Sequence, residues 1–180
     1  MEDKLLIWKL NRGSEDALRR IYEKYRDRLV RIAAGLLNNS AAAEDVVQDV
    51  FLMLVRSHGT YEIKKNLRGY LTSCVANRVR NLNRKKGTRD SVSLDRVSTA
   101  VSNAEAPDQR VLCDEEFRRL YQAVAQLPFE QKEAVILRLQ AKMKFRQIAQ
   151  LQETSIKTTL SRYNYGLNKL RSILNSEVQK

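Results

Sequence analysis

From Leu18 to Leu36 the apolar residues Leu18, Ile21, Tyr22, Tyr25, Leu29, Ile32, Ala33 and Leu36 recur at steps of three and four. Only a helix turns every third or fourth side chain to the same side, so the stretch predicts an amphipathic α-helix with one buried stripe. Its start is marked by Ser14, an N-cap type, followed by Glu15 and Asp16, whose charges suit the positive end of a helix. Its end is marked by Asn38, Asn39 and Ser40. Ahead of it, Lys4 to Leu10 reads as a short helix closed by Gly13, a residue suited to the left-handed position after a helix end.

The same period continues. Ala41 to Arg56 predicts a third helix, with Val46, Val47, Val50, Phe51, Leu54 and Val55 on its buried side and Glu44, Asp45 and Asp49 in its first two turns. Asp45, Gln48 and Asp49 stand at i, i+3 and i+4 and share the exposed face, which by pattern alone is a solvated face with favourable electrostatics. Ser57 to Asn66 predicts a loop, in which His58 caps a helix or stands in the turn. Leu67 to Lys85 predicts a fourth helix with Leu67, Tyr70, Leu71, Cys74, Val75, Val79 and Leu82 inward. Its other face carries Arg68, Thr72, Asn77, Arg80, Asn81 and Arg84.

From Gly87 to Ala106 the chain becomes rich in Ser, Thr, Asn and Asp and loses its helical period, as a flexible linker does. Beyond Pro107 a further stripe runs through Phe117, Leu120, Tyr121, Val124 and Leu127. Pro128 then suits the first turn of a helix through Leu139. Phe145 to Tyr163 has the pattern of a helix-turn-helix: Ile148 and Ala149 pack the first helix, Gln152 to Thr154 form the turn, and Ser155 caps the second. Lys157, Thr158, Thr159, Ser161 and Arg162 fall near its start, where a recognition helix meets bases and phosphates. Short helix pairs in any bundle can mimic that motif. No segment alternates as a strand does, so the predicted class is all-α: two small helical domains, 1–87 and 108–180, joined by a linker over 88–107.

Charge narrows the function. Among 180 residues Lys and Arg number 33 against 21 acidic residues, a net charge of +12 that suits a polyanionic partner. Nine of the basic residues lie between Lys64 and Arg89, with no Asp or Glu among them. Such a segment can follow a phosphate backbone, and Asn77 adds an amide that can either bond a base edge or cap within its own domain. Tyr61 offers a stacking face or a core residue. Two cysteines and one histidine without metal-ligand spacing leave no basis for a zinc site, and Cys74 and Cys113 read as core fillers. No apolar run reaches the roughly 20 residues of a membrane span, and Met1 to Asn11 lacks the parts of a signal peptide, so the expected place is the cytoplasm.

Three stretches taken together resemble the extracytoplasmic-function group of bacterial sigma factors. They are Arg12 to Leu18 with Ile21 to Tyr25; Ala43 to Leu52 with Asn66 to Leu71 and Ala76 to Arg78; and Leu127 to Val135 through Ser161 and Arg162. The resemblance covers nearly the whole chain. It implies a promoter-recognition subunit with no enzymatic activity and no cofactor, whose partners are core RNA polymerase (clamp and flap), promoter DNA and an anti-sigma factor. It also implies roles. Asp45, Gln48 and Asp49 would dock on the polymerase clamp. Tyr61, Arg68, Asn77, Arg80, Asn81 and Arg84 would hold the minus-ten strand, with Asn77 near a captured base. Ser155, Lys157, Thr158, Thr159, Ser161 and Arg162 would meet the minus-thirty-five duplex. The chain departs from the family pattern at Tyr70, usually Trp, at Glu153, usually Gly, and at Asn164 to Gly166, where the family's usual cationic residue is replaced by Tyr165. Two other readings compete. A free-standing helix-turn-helix repressor leaves the Asp45 face without work. A nucleic-acid-processing enzyme needs carboxylates or metal ligands that Lys64 to Arg89 does not contain.

Overall fold

A computed structural model describes residues 2–56, 66–90 and 115–178, with side chains placed over 2–56, 66–84 and 119–176. Its described residues form eight α-helices and no strand: α1 (Glu2–Asn11), α2 (Glu15–Leu37), α3 (Ser40–Arg56), α4 (Leu67–Asp90), α5 (Glu115–Ala125), α6 (Phe129–Leu139), α7 (Phe145–Leu151) and α8 (Ile156–Val178). They divide into two compact units, Met1–Ala33 with Ala41–Ser102, and Ala34–Ser40 with Asn103–Lys180.

In the first unit the predicted stripe of α2 packs inward. Ile21, Tyr25, Leu29 and Ile32 are buried, and Tyr22 meets Phe51 of α3 edge to face at 4.9 Å. α1 turns Leu6 and Leu10 inward and is tied to α2 through polar groups. Lys24 Nζ donates to Glu2 and Asp3 at 2.7 and 2.8 Å, and the Tyr25 hydroxyl donates to Asp3 at 2.7 Å. Burial first, then the Asp3 bond, pushes the Tyr25 phenol up to about 12. On the outer side of α1, Trp8 is half exposed and the Arg12 guanidinium lies 3.8 Å over its ring. Gly13 takes φ +81 and Ser14 Oγ accepts from the Ala17 N–H at 3.3 Å, so the predicted stop and cap both form.

Three expectations in this unit need correction. Val55 is 37% exposed instead of buried, because the stripe of α3 closes at Leu54 and the helix ends two residues later. Thr72 is not on the open face of α4. It is buried and its hydroxyl donates to the Arg68 carbonyl at 2.9 Å, satisfying itself on its own helix as threonine can. α4 also runs five residues past Lys85, through Gly87, to Asp90. A single glycine costs a helix only about 1 kcal/mol and does not stop one. The remainder of the expected linker, the Ser57 to Lys65 part of the loop, and Cys113 lie outside the described residues. Cys74 is half-buried, and burial raises its thiol pKa.

In the second unit α5, α6 and α7 all pack on α8. Ala123, Leu127, Val135 and Leu170 form its buried centre, with Val124, Tyr163, Leu167, Ile173 and Leu174 around them. Leu120, expected in the α5 stripe, is 42% exposed, since Ala123 and Leu127 supply the inward side. Gly166 brings α8 close to α6: a Cβ there would stand 2.9 Å from Val135 Cγ2 and 3.3 Å from the Gln131 carbonyl oxygen. Gly166→Val is therefore expected to overpack this crossing and destabilise the unit by about 2 kcal/mol in chemical denaturation. Wild-type stability in that variant would mean that α6 backs away freely.

Candidate functional site

Three exposed helix faces carry the polar residues singled out in the sequence. The first belongs to α3. Its buried stripe, Ala43, Val46, Val47, Val50, Phe51 and Leu54, leaves Asp45, Gln48 and Asp49 together on the open side. One turn further on, the same side shows Leu52 and Met53, 54% and 42% exposed, which the sequence reading did not single out. The face is thus acidic at its start and apolar at its end. Asp49 is engaged: Arg78 of α4 donates to its Oδ2 from Nε at 3.1 Å and from a terminal guanidinium nitrogen at 2.6 Å. Glu44, beside this face, accepts from Arg26 at 3.0 Å.

The second face belongs to α4. Asn77, Asn81 and Arg84 are exposed at i, i+4 and i+7, and so line up along one side, with Arg80 half-buried at its edge. Arg68 does not join them. It lies nine residues before Asn77, about two and a half turns away and so on the opposite side of the helix. Its charge acts instead on α2, where burial and the guanidiniums of Arg68 and Arg31 hold Arg28 below the ordinary arginine range. Tyr61 lies outside the described residues. Arg78, exposed and next to Asn77, is a contact between the two faces that the apolar count alone does not mark.

The third face belongs to the helix-turn-helix, α7 to α8. Ile148 and Ala149 are buried as expected. Glu153 turns the chain at φ +49, a left-handed conformation that explains why a glycine would be at ease there. Ser155 Oγ accepts from the Thr158 N–H at 3.0 Å and pairs with the Thr158 hydroxyl at 2.8 Å, so the second helix is capped. Behind the turn lies a buried polar chain. Gln152, 5% exposed, donates from Nε2 to the Glu130 carbonyl and to Glu133 Oε2, both at 2.9 Å, and its Oε1 accepts from Arg162 at 3.0 Å. Burial pushes the neighbouring Lys132 down to about 8.

Two of the residues expected on this face are therefore placed differently. Thr159 is 0% exposed and its hydroxyl donates to the Ser155 carbonyl at 3.1 Å, so it packs the unit and does not face outward. Arg162 is half-buried and held by Gln152. Lys157, Thr158 and Ser161 are exposed, and beside them stand Ile156, Leu160, Asn164 and Tyr165, which the sequence reading did not include. Stepping back from Leu170 by fours and threes, through Gly166 and Tyr163 to Thr159, would have found them. That count puts Thr159 inside and Leu160 out.

Comparison with known proteins places these faces in a family. The model for Sigma-70 region 2 matches residues 21–89, which include α3 and all of α4 but its last residue. The RNA polymerase sigma factor CarQ of Myxococcus xanthus is 31% identical over 163 residues, covering 90% of this chain and 91% of that protein. The chain belongs to the extracytoplasmic-function group of RNA polymerase sigma factors. The extracytoplasmic-function sigma factor SigW of Bacillus subtilis is 21% identical over 93% of this chain and 94% of its own. The fold of this sigma factor is similar to that of RpoE solved with the anti-sigma factor NepR from Bartonella quintana, with a TM-score of 0.67 at 24% identity over 87% of this chain and 96% of that one. It is similar also to CnrH solved with the cytosolic domain of CnrY, with a TM-score of 0.68 at 18% identity over 98% and 99%. Among the described residues no helix is long and apolar enough to cross a membrane.

Proposed function

We propose that this sigma factor works through three separate faces: it docks on the clamp of core RNA polymerase with α3, holds the opened minus-ten strand with α4, and meets the minus-thirty-five duplex with α8. The observation that carries the reading is the contrast between two faces of one unit. Asp45, Gln48 and Asp49, continued by Leu52 and Met53, suit a protein partner. The face of Asn77, Asn81 and Arg84 lies in a segment without an acidic residue, and suits a phosphate backbone. In this reading residues 1–87 and 108–180 are the two working domains, the chain performs no catalysis of its own, and it acts in the cytoplasm, where an anti-sigma factor can bind it as NepR binds RpoE, a sigma factor of similar fold. The free repressor remains disfavoured, because it has no use for the α3 face.

Run-off transcription with core polymerase over a genomic promoter pool tests the proposal. Specific transcripts that need the chain support it, and a pool left silent or unselected overturns it. Asn77 gives a sharper prediction. Asn77→Ala should bind core polymerase and form closed complexes, yet fail to open the duplex, because its amide no longer bonds the captured base. A template melted beforehand should restore only part of the activity. Normal permanganate reactivity of duplex thymines with this variant would remove Asn77 from the site.

A further inference from the structure

We infer that α8 reads its duplex in part through the methyl groups of thymine, with Leu160 and Ile156 as the reading side chains. The inference rests on the proposal that α8 enters the major groove. Four of the polar residues at its amino end bond within the unit. The Ser155 and Thr158 hydroxyls bond each other, Thr159 faces the core, and Arg162 is held by Gln152. Two of the side chains that point outward, one turn apart, are apolar: Ile156 is 51% exposed and Leu160 42%, beside the exposed Lys157, Thr158 and Ser161. A single exposed leucine is ordinary on any surface. Two such residues on the opening turns of the second helix of a helix-turn-helix stand where base edges are read.

In the major groove the only apolar group that a base pair offers is the C5 methyl of thymine, and an aliphatic side chain there can distinguish a base by that methyl alone. The surroundings favour duplex DNA over a protein as the occupant. Lys157 is exposed beside Ile156, so a cation stands next to the apolar pair. That combination fits a polyanion with methyl groups embedded in it. Asn164, exposed one turn beyond Leu160, adds an amide that suits adenine. The reading therefore favours A·T pairs at the positions that Leu160 and Ile156 face.

The test uses the full chain bound to core polymerase. Upstream duplexes are selected from a random pool, and each thymine of the selected site is then replaced by deoxyuridine, which removes only the methyl. At one or two positions the affinity should fall about fourfold per methyl. Leu160→Ala and Ile156→Ala should each bind more weakly and lose that difference at one of these positions. If no replacement matters while Lys157→Ala still weakens all duplexes and flattens the salt dependence, α8 grips DNA but does not read methyls, and the inference is wrong. If neither change affects upstream binding, the duplex role of α8 fails and takes the inference with it. If Leu160→Ala instead lowers affinity for core polymerase with no change on DNA, the face is a protein contact and the inference is again overturned.

Discussion

Gln152→Leu is expected to destabilise the second unit by about 3 kcal/mol and to lower its melting temperature by more than about 10 °C. Leucine fills a similar volume, so the loss is one of polar partners. Glu133 is 0% exposed and takes one of its bonds from Gln152, while Arg162 gives a guanidinium bond to the same amide. Removing the amide leaves part of a buried carboxylate and part of a half-buried cation unmatched, which costs more than the bond itself contributed. Glu133 keeps a further interaction, which holds the expected loss below the upper range for broken buried pairs. Far-UV circular dichroism during heating measures it. A melting curve of the second unit within about 2 °C of the unaltered chain would show that the polar chain behind the turn contributes little.

Charge reversal on α3 should have the second large effect. Asp45→Lys is expected to weaken binding to core polymerase at least about thirtyfold while the protein melts as before, since the residue is exposed. Asp49→Lys is a less clean probe. It removes a carboxylate from the same face and also sets a lysine against Arg78, whose guanidinium now grips Asp49. The pair is exposed, so its loss costs the first unit less than about 1 kcal/mol, yet it alters α4 beside Asn77. Asp45→Lys therefore carries the test, measured by gel filtration with core enzyme. Unchanged co-elution of the Asp45, Asp49 double lysine variant would sink the assignment of this face.

The helices and their caps were open to reading because each rests on local rules. Gly13, Ser14, Ser155 and the stripe of α2 need only spacing and side-chain chemistry, and they stand where those rules put them. The exposed position of Asp45, Gln48 and Asp49 follows from the same period. The differences arise where a residue's surroundings come from elsewhere in the chain. Thr72 and Thr159 look polar in sequence, but each bonds its own helix and then packs as a small apolar residue. Arg68 looks like one of a row of cations until the helix is wound and it comes round to the side of α2. Arg162 looks free until the buried Gln152 is seen, and no spacing rule links residues of the turn to Glu133 across the unit.

The place of Trp8 gives the molecule an optical label of its own. It is the single tryptophan of the chain, half exposed on α1 with the Arg12 guanidinium against its ring. Its emission therefore reports the surroundings of α1, while the tyrosines of the second unit, Tyr121, Tyr163 and Tyr165, are silent at wavelengths that excite only indole. Heating followed by tryptophan emission should leave Gln152→Leu indistinguishable from the unaltered chain, even as circular dichroism records an early loss of helix. The two signals, taken from one sample, compare the surroundings of α1 with the helix content of the whole chain without cutting it.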